Sequence, residues 1–282
     1  IRDFCLSRGL GDVYKRQTRK DQSGLVLLPG GGILKPPRSG FDAKLTLDLN
    51  IQTFVEEELN RGLDEFDSKC GAVVMIEPGT GDVLAIASRP HFNLNLRNNM
   101  SESAMHYAVQ GVYEPGSTLK VISAAAALDL GLMSPQTPMF CHNGYMRIPG
   151  GYVKDYKGFQ NITLEEVLAK SSNIGAYKIG MRVGTSRYMD YLRRFGFTKP
   201  TGILLPGEER GWTADPENGI NFSRMTYGYG VVVTPLQIAC AYASIANEGV
   251  RMKPRLVKAL LANDGTVAVS YTHLTLPTKR IV

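Results

Sequence analysis

No stretch of this chain approaches the roughly 18 to 20 uncharged apolar residues that a membrane-crossing helix needs. The richest candidate, Val121 to Leu132, is short and is interrupted by Asp129. Ile1 to Lys20 lack the continuous apolar core of a secretory leader. The chain itself is therefore expected neither to span a membrane nor to carry an export signal. Cysteine is scarce, with Cys5, Cys70, Cys141 and Cys240 far apart, no CxxC pair and no histidine at ligand spacing. That excludes a zinc or disulfide framework, no metal or cofactor is expected, and the cysteines read as small core residues. Histidine is equally sparse: His91, His106 and His142 show no triad pattern, and His273 lies near the end of the chain.

A strong charge of one sign is also missing from the body of the protein. The net charge is +6, but residues 1–17 carry +2 and residues 269–282 another +2, leaving +2 for everything between. Without a basic patch or run, no nucleic-acid partner is expected. The two end segments have no clear helical or strand period and join abruptly to well-patterned sequence. They resemble translated adapter read-through, so 1–17 and 269–282 are expected to be non-native tails on an internal piece of a longer protein. Residues 18–40, rich in glycine and proline, read as a linker or loop, and 41–268 as the folded domain.

With 282 residues, 43% hydrophobic and 21% charged, the chain has the composition of a globular protein. Leu49 to Arg61 has a helical pattern with Ile51, Phe54, Val55 and Leu59 on one face and Gly62 placed to end it. Gly71 to Glu77 and Val83 to Ala87, joined by Pro78-Gly79-Thr80-Gly81, predict a β-hairpin. A polar stretch with Asn93, Asn95, Asn98 and Asn99 leads to Glu114-Pro115-Gly116 and a helix from Ser117 to Leu130. Residues 132–160 read as loop. Thr163 and Glu166 form a capping box for a helix to Lys170. Ser171-Ser172-Asn173 breaks it before helices at Ile174–Val183 and Ser186–Arg194. Thr234-Pro235 opens a last helix whose apolar face extends toward Gly249.

The sharpest chemical feature is Ser117-Thr118-Leu119-Lys120 at a helix start just after a Pro-Gly turn. Serine three residues before lysine puts both side chains on one helical face, within reach of each other. A serine hydroxyl needs a base beside it to act as a nucleophile, and a buried lysine can be that base. The helix N-terminus favours negative charge developing on the serine oxygen and on a substrate carbonyl. Chance alone supplies about one S-x-x-K in a chain this size, so the second feature matters. Ser171-Ser172-Asn173 lies between two helices. Alone it is an ordinary polar break; after an S-x-x-K it reads as a proton-passing serine (Ser171) and an asparagine (Asn173) that holds the lysine and a substrate amide.

In this order the motifs resemble those of class B penicillin-binding proteins, in their transpeptidase domain. The resemblance spans roughly 41–267, through LTLDLNIQTFVEEEL (45–59), GAVVMIEPGTGDVLAIAS (71–88), YEPGSTLKVISAAAALDLG (113–131), ITLEEVLAKSSNIGAYKIG (162–180) and TYGYGVVVTPLQIACAYASIANEG (226–249). It implies a β-lactamase/transpeptidase-like α/β (α+β) fold: an antiparallel sheet flanked by helices plus a helical subdomain, here truncated at the C-terminus. It implies a D,D-transpeptidase in which Ser117 is acylated, Lys120 is its base, and Ser171 and Asn173 form the second motif. The implied partners are peptidoglycan stem peptides ending in D-Ala-D-Ala and β-lactams, with a glycosyltransferase and other cell-wall synthesis proteins beside the parent. The parent would be anchored in the bacterial plasma membrane with this domain on the outer face. Alternatives are a serine β-lactamase and a non-catalytic β-lactam sensor.

One element of the family pattern is absent. No K-[ST]-G occurs in the sequence, and in the family that strand binds the substrate carboxylate and completes the oxyanion hole. The chain alone is therefore expected to have an unfinished sheet and to be nearly inactive. Glu56-Glu57-Glu58-Leu59-Asn60 matches the E-x-x-L-N string of class A β-lactamases. It precedes the nucleophile instead of following the second motif, and reads as part of an amphipathic helix.

Overall fold

The computed structural model describes residues 19–20, 26–27, 40–91 and 105–270. The expected tails, apart from Val269 and Ser270, most of the linker, Cys5, His273 and the Asn93–Asn99 stretch lie outside the described residues. The chain divides into two compact units. The smaller takes residues up to Thr46 and returns at Val257. It contains the short antiparallel pair β1 (Arg19–Lys20) and β2 (Val26–Leu27) within the expected linker. It also holds a three-stranded antiparallel sheet of β3 (Asp42–Leu45), β12 (Val257–Leu261) and β13 (Val267–Ser270), with β12 in the middle. β13 runs two residues past 268, into the segment read as a tail.

The larger unit, 47–256, carries both chemical motifs. It opens with α1 (Leu49–Glu65), capped by the Asp48 carboxylate, which accepts from the backbone of Asn50 and Ile51. Val55 and Leu59 are buried, and Ile51 and Leu63 pack with them against Val73, Ala85 and Ala87. This i, i+4 series corrects two expectations. Phe54 is 59% exposed, because the ~100° turn per residue puts it roughly 120° from the centre of that stripe. The helix also runs through Gly62 to Glu65. Leu63 extends the buried stripe, which outweighs the glycine's cost of about 1 kcal/mol, and Asp67 takes the left-handed turn instead (φ 48°).

The hairpin appears as β4 (Gly71–Ile76) and β5 (Val83–Arg89), with Ala85 and Ala87 on the buried face of β5. Among the described residues β4 has β5 as its only strand partner. After α2 (Tyr107–Gln110), a 3₁₀ turn over Gly116–Leu119 flows into α3 (Lys120–Asp129). This helix is apolar nearly all round, and Ile122 and Ala124–Ala127 are buried. Its small side chains let α4 (Leu164–Ala169), α5 (Asn173–Val183) and α6 (Thr185–Arg194) pack close against it. The approach of α5 to its neighbours is tight as well. A Cβ on Gly175 would lie 2.2 Å from Val167, and one on Gly180 would lie 2.2 Å from Thr226.

The span 132–160, expected to be loop, holds real strands. β6 (Pro138–Phe140) pairs with β9 (Asn161–Thr163), and β7 (Tyr145–Ile148) with β8 (Gly151–Lys154) across Pro149-Gly150. The expected capping box Thr163–Glu166 forms on α4, the Thr234 cap forms on α8 (Pro235–Ala246), and there Gln237 completes a second capping box that the sequence did not lead us to expect. Between them lie β10 (Trp212–Thr213), α7 (Gly219–Met225) and β11 (Val231–Val232). None of the helices among the described residues is long and apolar enough to cross a membrane.

Candidate active site

The Pro115-Gly116 turn fixes where Ser117 stands. Gly116 has φ +56°, the left-handed backbone that glycine adopts without strain. Ser117, the first residue after it, is exposed. The segment 226–233 clamps this turn from one side. The backbone N–H of Gly116 donates to the Gly228 carbonyl (3.0 Å), and Tyr113 and Val233 exchange backbone bonds (3.0 and 2.9 Å). The Glu114 carboxylate accepts from the backbone of Gly230 at 2.6 Å. One turn into α3, the Ser123 hydroxyl donates to the Thr226 carbonyl. The Tyr242 hydroxyl of α8 donates to the carbonyl of Thr118 at 2.9 Å. An exposed serine is thus carried on a backbone held by two other segments, 226–233 and α8.

Lys120, by contrast, is buried and only 2% exposed. Its amine donates to the carbonyl of Ser171 (2.5 Å) and to the Ser171 hydroxyl (2.9 Å). Burial pushes the amine's pKa down to about 8, while the carboxylate of Asp155 pulls in the opposite direction. Roughly a tenth of the amine is then neutral at pH 7, against well under one in a thousand for an ordinary lysine. The structure joins Lys120 to Ser171 across 51 residues. Both of the hydrogen bonds that the amine makes go to Ser171. In the 3₁₀ geometry the backbone N–H of Lys120 closes on the Ser117 carbonyl.

Ser171 can offer both oxygens because its backbone is left-handed (φ 54°), a strained conformation for a non-glycine residue. Ser172 faces inward, fully buried, caps α5 by accepting from Gly175, and donates to the Asp155 carboxylate at 2.7 Å. This explains a serine at the middle position of the motif: it is a helix cap bonded to an acid, a place where a second carboxylate would repel the first. Asn173 donates its side-chain amide to the Lys154 carbonyl (2.8 Å). Lys120, Ser171 and the Asn173 backbone are therefore gathered around one bend, with Ser117 on the turn that leads into the same helix as Lys120.

Sequence reasoning passed over three groups. Asp155, Glu114 and Gly228 carry no motif of their own. Only the Gly-Tyr-Gly at 228–230 gave a signal, since paired glycines after a helix mark a tight turn or a close backbone approach. Glu56 and Asn60, from the E-x-x-L-N string, both bond the guanidinium of Arg89 on β5. They hold α1 to the hairpin, and the string lies within α1, the helix it was read as part of. Among the described residues no cluster of His, Cys, Asp and Glu could hold a metal ion.

Residues 71–280 match the family model of the penicillin-binding protein transpeptidase domain. The chain is 34% identical over 236 residues to penicillin-binding protein PbpB of Mycolicibacterium smegmatis, covering 81% of this chain and 36% of the relative. It is 32% identical over 243 residues to peptidoglycan D,D-transpeptidase FtsI of Escherichia coli, covering 85% and 41% respectively. The chain thus spans less than half the length of these curated relatives. Among solved structures, penicillin-binding protein 3 of Mycobacterium tuberculosis in complex with ampicillin matches with TM-score 0.81 at 31% identity, over 89% of this chain and 56% of that one. The apo transpeptidase domain of Burkholderia pseudomallei penicillin-binding protein 3 matches with TM-score 0.70 at 30% identity, over 84% and 65%. The chain belongs to the class B penicillin-binding proteins, in their transpeptidase domain.

Proposed function

We propose that this domain is the acyl-transfer part of a D,D-transpeptidase that cross-links peptidoglycan stem peptides through an acyl-enzyme on Ser117. The observation that carries the reading is the Lys120 amine, buried, held near pH 8 and bonded to Ser171, one turn behind an exposed serine. The neutral amine takes the proton as the Ser117 oxygen attacks the carbonyl of the D-Ala-D-Ala bond. Ser171, bonded to that amine, passes a proton to the departing D-Ala nitrogen, and Asn173 orients the substrate amide. The acyl group then moves to an amine of a neighbouring stem peptide. β-Lactams acylate the same hydroxyl and stay, in keeping with the ampicillin complex of a structural relative. The parent would sit in the bacterial plasma membrane with this domain outside, beside a glycosyltransferase.

The carboxylates that a hydrolytic reading would recruit are engaged elsewhere. Asp155 accepts from Ser172, Asn173 and Ile174, and Glu56 is tied to Arg89 and Gln52. The test uses the full-length parent with a fluorescent penicillin. Stoichiometric, long-lived labelling that Ser117→Ala abolishes is expected. Rapid turnover of nitrocefin would replace the proposal with a β-lactamase, and unchanged wall cross-linking in cells carrying Ser117→Ala would replace it with a sensor. Since K-[ST]-G is not among these 282 residues, labelling is expected of the parent and not of this chain alone.

A further inference from the structure

We infer that Asp155 is the positioning residue of this site: its carboxylate holds the 171–173 bend in the one conformation that turns both oxygens of Ser171 onto Lys120. The inference rests on the acyl-transfer reading above and deepens it.

Asp155 follows directly on β8, where its backbone N–H donates to the Gly144 carbonyl at 3.0 Å. From this anchored place one carboxylate collects three donors. Oδ2 accepts from the Ser172 hydroxyl at 2.7 Å, and Oδ1 accepts from the backbone N–H of Asn173 (2.5 Å) and Ile174 (3.0 Å). The two backbone donors belong to the first turn of α5, an eleven-residue helix, where N–H groups lack intrahelical partners and the helix dipole favours an anion. Asn173 adds a fourth link through its side-chain amide to the Lys154 carbonyl. The bend is therefore fastened to β8 at 172, 173 and 174, and to the end of α4 by the backbone N–H groups of Ser171 and Ser172, which donate to the carbonyls of Leu168 (3.2 Å) and Val167 (3.0 Å). Ser171 itself is left-handed, an arrangement that lasts only where the surroundings impose it. Released from Asp155, the bend would keep only its bonds to α4, and Ser171 would be freer to turn its carbonyl or its hydroxyl away from the amine.

The same carboxylate acts on Lys120 through space, opposing the effect of burial on the amine. The other polar and charged groups around Asp155 are accounted for. Lys154 holds its amine over the rings of Tyr145 and Tyr152. Lys178 on α5 bonds the Phe140 carbonyl and His142. The buried Cys141 thiol, raised by burial, lies 3.6 Å from the Ser172 hydroxyl. Each of the two lysines thus has partners of its own, which leaves Asp155 as the acid whose charge reaches the Lys120 amine.

The test compares wild-type, Asp155→Asn and Asp155→Glu full-length parent, following the rate of acylation by a fluorescent penicillin from pH 6 to 10. Asparagine keeps the shape and removes the charge. Its midpoint is expected to move to the acid side of the wild-type value near 8, because the amine loses the anion that opposed the effect of burial. Its plateau is expected to fall about tenfold or more, because the bend loosens. Glutamate restores the midpoint and only part of the plateau. A purely structural acid would lower the plateau, or the labelled fraction, without moving the midpoint, and that result overturns the inference. So does an Asn variant that acylates like wild type. The acyl-transfer reading fails separately, if wild type itself is not labelled at Ser117, and the inference then falls with it. Should Asp155→Asn fold poorly, the midpoint is read on the labelled fraction alone, with Asp155→Glu as the folded comparison.

Discussion

Gly228 is where the backbone beneath the candidate nucleophile can be tested most directly. It has φ +94°, and a Cβ built on it would stand 1.8 Å from the Gly116 carbonyl oxygen, 2.3 Å from its carbon and 2.6 Å from its Cα. Real Cβ contacts essentially never fall under 3.0 Å, so the two segments must separate until the nearest contact grows from 1.8 to at least 3.0 Å. That parting breaks the bond from the Gly116 N–H to the Gly228 carbonyl (3.0 Å), worth about 1 kcal/mol. It also pulls on the Gly230–Glu114 bond. The left-handed backbone adds about 1–2 kcal/mol for any Cβ-bearing residue. Gly228→Ala should therefore cost about 3 kcal/mol or more. Gly116→Ala is the matched control: it is also left-handed (φ +56°), but its Cβ would meet nothing within 4 Å, leaving only the strain of about 1–2 kcal/mol. At about 2–4 °C per kcal/mol for a domain this size, Gly228→Ala should melt several degrees below Gly116→Ala in the full-length parent. It should also acylate far more slowly, since the displaced backbone is the one that carries Ser117. Equal melting temperatures and equal acylation rates for the two variants would refute the reasoning.

Acylation of the parent by a fluorescent penicillin should rise with pH through about 8 as Lys120 loses its proton, and Lys120→Arg, which keeps the charge, should slow it by about 10²-fold or more; a flat profile from pH 6 to 9 would count against Lys120 as the base. Stability carries the same signature with a defined sign, because the folded amine at about 8 lies below its unfolded value of roughly 10.4, so the unfolded chain holds the proton longer between the two. The Lys120 contribution should grow across that window by about 3 kcal/mol and be lost as pH falls through 8, read as the wild-type slope minus that of Lys120→Met. Thr234→Ala removes a buried cap whose hydroxyl accepts from the Gln237 backbone and should cost about 1–2 kcal/mol, measured as a lower melting temperature with the acylation midpoint unchanged.

The parts of this fold that were legible in the sequence are those whose determinants lie close together along the chain. The capping box at Thr163 and the cap at Thr234 are local hydrogen bonds between residues three apart, and both form. The β4–β5 hairpin announces itself by two apolar runs around a Pro-Gly-Thr-Gly turn, and the two runs pair antiparallel. The β7–β8 hairpin was passed over for an equally physical reason. Each strand has four residues and buries only one of them, Met146 or Val153, so there is no alternation long enough to see. At the site the divide falls inside a single motif. Ser117 and Lys120 are legible as a pair by spacing, but spacing does not show what the lysine amine bonds. The 3₁₀ turn leaves Ser117 exposed while Lys120 enters the interior. What the amine meets there is decided by Ser171, 51 residues on, and that serine's left-handed backbone is held between the end of α4 and the acid that follows β8. A motif therefore names the reacting groups, whereas acceptors far along the chain, with no pattern of their own, set how those groups face one another. It follows that substitutions outside both motifs, at Asp155 and Gly228, should change the chemistry of Ser117 and Lys120 while leaving every motif residue in place.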